Sequence, residues 1–167
     1  MYIPFDEMPG HARLWIFQTN RLITDEEASI IKSSVRNFVD IWMSHGASVT
    51  GSFDMLYNRF ILIVANENAN DVGGCSIDNM VHYLQTLGAG IGIDFMNRDI
   101  AYLIDNQLVS APINVFKSML SNGEIDVNTQ IFVNNLIRKS DLKYQWKVPV
   151  SNSWLSKYLP QSQKEVI

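Results

Sequence analysis

An α+β fold, with a largely antiparallel or mixed sheet and helices packed mainly on one face, is predicted by three features of the sequence. Two stretches, residues 53–65 and 100–109, are rich in aromatic and β-branched residues and carry a turn signal, so each reads as a hairpin. Three further segments read as helices. Strands and helices are mixed without strict alternation, which disfavours a doubly wound parallel sheet. The 167 residues are near the usual size of one domain, enough to bury about 70% of the surface that the unfolded chain exposes. The expected organisation is therefore a single α+β domain over 1–160, followed by a loose C-terminal tail over 161–167.

Taken in order, residues 13–19 read as a short strand, and the apolar run Leu14-Trp15-Ile16-Phe17 suggests burial on both faces. Thr24 followed by Asp25, Glu26 and Glu27 is a capping box, in which the Thr24 hydroxyl and the Glu27 carboxylate each satisfy an unpaired backbone donor. Ala28, Ile31, Val35, Phe38 and Trp42 then recur at spacings of three and four, one face of a helix, and Gly46 is placed to end it. In the first hairpin Asn58-Arg59 is the turn and the second strand is central. The polar stretch 66–74 leads into a second helix near 76–87, stopped by Gly88, Gly90 and Gly92.

Asp105-Asn106 tolerates the left-handed backbone of a tight turn and centres the second hairpin, over 100–104 and 107–109. Pro112 suits the first turn of a third helix whose Ile113, Phe116 and Leu120 share a face, and Gly123 sits where a helix-ending glycine belongs. Residues 131–133 read as a short strand. Tyr144, Trp146 and Val148 alternate with Lys143, Gln145 and Lys147, as in a strand near a sheet edge. Ser151 or Ser153 caps a last short helix carrying Trp154, Leu155, Tyr158 and Leu159.

Composition narrows the function classes. Apolar residues make up 47% and charged residues 18%, which is ordinary for a globular chain. A net charge of −4 with 13 scattered basic residues argues against a general nucleic-acid binder, which needs clustered Lys and Arg to neutralise phosphates. The longest purely apolar run, 60–65, is far short of the roughly 20 residues that span a bilayer. Residues 1–10 have two acids, two prolines and no Lys or Arg, unlike a secretory signal, so the expected address is cytoplasmic. Cys75 is the single cysteine, which excludes an intrachain disulfide and a multi-cysteine zinc site.

The chemically suggestive stretch is Gly73-Gly74-Cys75-Ser76-Ile77-Asp78, where two glycines run into a helix start. Backbone N–H groups and the helix dipole at such a junction favour a phosphate, a carboxylate or a thiolate. Gly73, Gly74, Ser76 and Asp78 are thus candidate ligand-binding residues, with Asp78 expected in the first turn, and Cys75 is a candidate low-pKa thiol. Alternatively, Ser76 merely caps the helix and Cys75 is a small buried hydrophobe. His82 is seven positions from Cys75, about 10 Å along a helix, too far to act as its base. His45 could approach only through tertiary folding; by itself it reads as a cation near a helix carboxyl end. Arg59 and Arg98, each near a turn, are the basic residues to watch beside the glycine loop, and Arg59 joins the candidate ligand-binding residues.

Asp78 and His82 share a helix face at a spacing of four, but a zinc site wants three or four ligands and no others match, so no metal is assigned. No Gly-Lys dipeptide occurs, so there is no P-loop, and no G-x-S-x-G elbow surrounds Ser76. No cofactor is implied.

Trp15-Ile16-Phe17-Gln18, Trp42 with His45-Gly46, Arg59-Phe60, Gly74-Cys75-Ser76-Ile77-Asp78 and Ser153-Trp154 together resemble a family of small uncharacterised bacterial proteins, over nearly the whole chain. Members are often labelled transporter ATPases, a label to which a chain without a P-loop lends no physical support. A narrower likeness covers residues 104–133, similar in layout to GYF-type peptide-binding modules, although the tripeptide that names them is absent. The expectation is a binding module that takes a small anionic ligand or a protein partner through residues 73–78. A cysteine-dependent enzyme using Cys75, with His45 as base, is the alternative.

Overall fold

The computed structural model describes residues 1–164, and it is α+β. The α+β region expected over 1–160 is built as two compact units: Met1–Asn97 with Asn135–Ser140, and Arg98–Asn134 with the chain from Asp141 onward.

The first unit centres on a three-stranded antiparallel sheet ordered β1-β5-β4, with β1 at Arg13–Gln18, β4 at Thr50–Leu56 and β5 at Phe60–Asn66. β5 is central as expected, and every residue from Phe60 to Ala65 is buried, consistent with its unbroken apolar run. The turn joining β4 and β5 falls one residue earlier than the sequence suggests. Tyr57 and Asn58 hold positive φ (57° and 47°), while Arg59 is already folded inward. In β1 only Leu14 and Gln18 are buried; the aromatic residues between them are half-buried, so burial on both faces holds only in part.

Helix α1 spans Asp25–Ile41 and starts with the capping box read from the sequence: the Glu27 amide donates to Thr24 Oγ1 (3.3 Å), and the Thr24 amide donates to Glu27 Oε2 (3.0 Å). Arg21 adds a bidentate pair, with Nη1 2.9 Å from Glu27 Oε2 and Nη2 2.7 Å from Oε1. The Arg21 guanidinium and the Thr24 amide hold the Glu27 carboxyl down at about 2, against an ordinary 4.5. A carboxyl whose folded value is depressed stabilises the fold fully above its unfolded value and ceases to do so as pH falls through the folded one. Wild type should therefore exceed Glu27→Gln in thermal midpoint above about pH 4.5, with the gap closing as pH falls toward about 2. A gap that persists unchanged at acid pH would show that the carboxylate charge is not its source.

Ala28, Ile31, Val35 and Val39 of α1 pack on the face of the sheet that carries Ile61, Ile63 and Ala65, and helix α2 contributes Met80 and Leu84 to the same core. Helix α1 does not run on to Gly46. It ends at Ile41, and the next residues fold into a hairpin of β2 (Met43–Ser44) and β3 (Ala47–Ser48). The turn is His45-Gly46, both with positive φ (50° and 79°), the signature of a two-residue I′ turn. The glycine uses the same left-handed freedom a helix stop needs, but five residues beyond the last helical residue, Ile41.

Helix α2 spans Gly74–Ile91, longer at both ends than expected. It runs through Gly88 and Gly90 and stops only at Gly92, whose φ is +70° and whose neighbour Ile93 donates back to the Gly88 carbonyl at 2.9 Å.

The second unit is an antiparallel sheet ordered β7-β6-β8-β9, with β6 at Ile100–Ile104, β7 at Gln107–Ala111, β8 at Gln130–Phe132 and β9 at Lys147–Pro149. Asp105 and Asn106 form the expected turn with φ of 49° and 62°. Helix α3, Ile113–Ser121, buries Phe116 and Leu120, whereas Ile113, placed on that face by its spacing, is exposed. Gly123 closes the helix at φ +73°.

The strand expected through Tyr144 and Trp146 is a correction. Residues Leu142–Trp146 form one wide π-type turn, and only Lys147–Pro149 pairs, at the sheet edge. Burying Trp146 against Phe132 (5.1 Å between ring centres), with its indole N–H on Asn134 Oδ1 (3.0 Å), decides the local path, and Tyr144 is left exposed. Ser153, not Ser151, caps the short 3-10 helix Trp154–Tyr158 by accepting from the Leu155 amide. Of the stretch 161–167, Gln161–Lys164 forms one helical turn, α4, and 165–167 lie outside the described residues.

Candidate functional site

The glycine junction is held in place by the β2–β3 hairpin. Trp42, buried directly after α1, donates its indole N–H to the Ser76 carbonyl (3.2 Å), and Ser76 Oγ donates to the Met43 carbonyl (2.9 Å). Ser44 Oγ donates to the Asp71 carbonyl (2.7 Å) and accepts from the Gly73 amide (3.1 Å). Asn70 Nδ2 reaches across to the carbonyls of Ser44 (2.9 Å) and Ala47 (3.3 Å). The loop before the helix is braced by Glu67, which accepts from the Val72 amide (3.0 Å) and from Arg13 Nη1 (3.2 Å).

The positions within α2 differ from the sequence reading. Gly73 is the N-cap, a residue with no side chain to offer the first turn, and its carbonyl accepts from the amides of Ser76 (3.0 Å) and Ile77 (3.1 Å). Ser76 is therefore not the cap; it is buried at the third helical position, where its hydroxyl faces the hairpin. Cys75 occupies the second helical position and is exposed, so it is not a buried packing residue. Asp78 falls at the fifth helical position, beyond the first turn, which contains no acid. The dipole interaction expected of Asp78 belongs to the first turn and does not reach it at full strength.

His45 is brought to this junction. A Cβ built on Gly73 would lie 2.7 Å from His45 Nε2 and 3.0 Å from Cε1, so the imidazole rests against the glycine at the mouth of the helix. His45 is exposed at the hairpin tip. Arg59 lies elsewhere, buried at the β4–β5 turn, where its Nε donates to the Thr19 carbonyl at 2.9 Å. Arg98 is exposed at the start of the second unit. His82 is exposed on α2, and among the described residues no group of three or more His, Cys, Asp or Glu is arranged to hold a metal ion. Nor does any helix of the described residues have the length and apolarity to cross a membrane.

Ser44, Asn70 and Glu67, which shape the junction, carry no signal in the sequence. Their partners lie 5 to 54 residues away along the chain. No local spacing rule reaches most of these contacts. Compared with protein-family models, curated proteins and solved structures, the chain matches none.

Proposed function

We propose that this chain is a binding module that takes a small anionic ligand at the glycine-fronted start of α2. The observation that carries this reading is the pairing of a side-chain-free N-cap with an imidazole laid against it. The amides of Gly74 and Cys75, the first two of the helix, point along its axis toward the N-terminal opening, where the dipole favours negative charge. His45 adds a ring nitrogen as a third donor, and the absence of a side chain at Gly73 is what lets the imidazole lie this close to the backbone at the helix start.

Titration with inorganic phosphate, followed through the amide signals of Gly74 and Cys75, tests the reading. Saturable shifts are expected. Gly73→Ala places a methyl group where the exposed imidazole lies, and the backbone there (φ −71°, ψ 165°) accepts alanine. The variant should therefore fold with less than about 0.5 kcal/mol lost, while phosphate affinity falls by about tenfold, or about 1.4 kcal/mol. Amide signals that never move in wild type would remove the proposal.

One observation favours a second reading, a cysteine-dependent enzyme. Cys75 is exposed at the second helical position, and His45, the candidate base, rests against Gly73, two residues before the thiol in sequence. Helix N-termini and neighbouring imidazoles are the settings in which thiolates are stabilised. Alkylation rates of Cys75 across pH separate the readings: a midpoint at or above about 8.5, the ordinary thiol value, leaves the binding module alone.

A further inference from the structure

We draw no further inference here: the strongest candidate, the surface patch of the second unit where the exposed Trp154 ring lies beside Lys117 of α3, carries nothing because nothing in the structure shows what covers it.

Discussion

Replacing Trp42 by alanine is expected to cost about 3–5 kcal/mol of stability, the range for truncating a buried aromatic side chain, and to disorganise the candidate site along with the core. Trp42 is only 3% exposed. Its ring meets Trp15 edge-on at 5.9 Å and Phe38 at 5.6 Å. Its indole N–H is the tie from the end of α1 to the Ser76 carbonyl, so truncation opens a cavity and unfastens the hairpin from α2 in one step. Chemical denaturation should show a lower midpoint with little change in slope. Amide exchange at Gly73 and Ser76 should quicken more than the global loss explains. Trp42→Phe keeps most of the ring contacts and should recover most of the stability while leaving exchange at Ser76 fast. A Trp42→Ala loss below about 1 kcal/mol would mean that the aromatic cluster is not a principal support of this unit.

Which features are legible in the sequence, and which are not, follows from the reach of each signal. The α1 capping box is a four-residue pattern whose donors and acceptors all lie inside it, so Thr24 and Glu27 sit as the sequence implies. The Asp105-Asn106 turn and the Gly123 helix stop are equally local. Gly46 misleads because positive φ serves a helix end and an I′ turn alike, and because Trp42, buried for its own reasons, continues the helical period past Ile41. Alternation over Tyr144, Trp146 and Val148 is too short to separate a strand from a wide turn that buries one of the three.

The candidate site is legible in location but not in construction. Two glycines before a helix mark the junction, yet an N-cap glycine leaves no side-chain signature, so the serine three residues later resembles the cap. A cap at Ser76 would place Asp78 in the first turn; the cap at Gly73 leaves it outside. His45 reaches Gly73 only because the β2–β3 hairpin turns it back, a placement that depends on pairing Met43 with Ser48. Arg59, by contrast, is drawn into the protein by a backbone carbonyl 40 residues away.

Gly88→Ala should be destabilising by about 2–3 kcal/mol, although the same exchange at Gly90 should stabilise by about 0.5–1 kcal/mol, and the contrast isolates steric fit from helix propensity. Both glycines lie inside α2, where alanine is intrinsically favoured because it loses less backbone entropy on folding. Nothing lies within 4 Å of a Cβ added at Gly90. At Gly88 the added carbon would stand 2.2 Å from the Ile93 carbonyl oxygen and 3.0 Å from Phe95 Cδ2. The first neighbour is backbone, fixed by the Ile93 amide's own bond to the Gly88 carbonyl, and the second is a ring 1% exposed in the core. Neither can swing aside, so the reversal after Gly92 must lift off the helix and loosen Ile93 and Phe95 from the core they share with Met80 and Leu84. Thermal melts of the two variants against wild type decide it. A Gly88→Ala protein as stable as Gly90→Ala would mean that the chain does not close over α2 at this point.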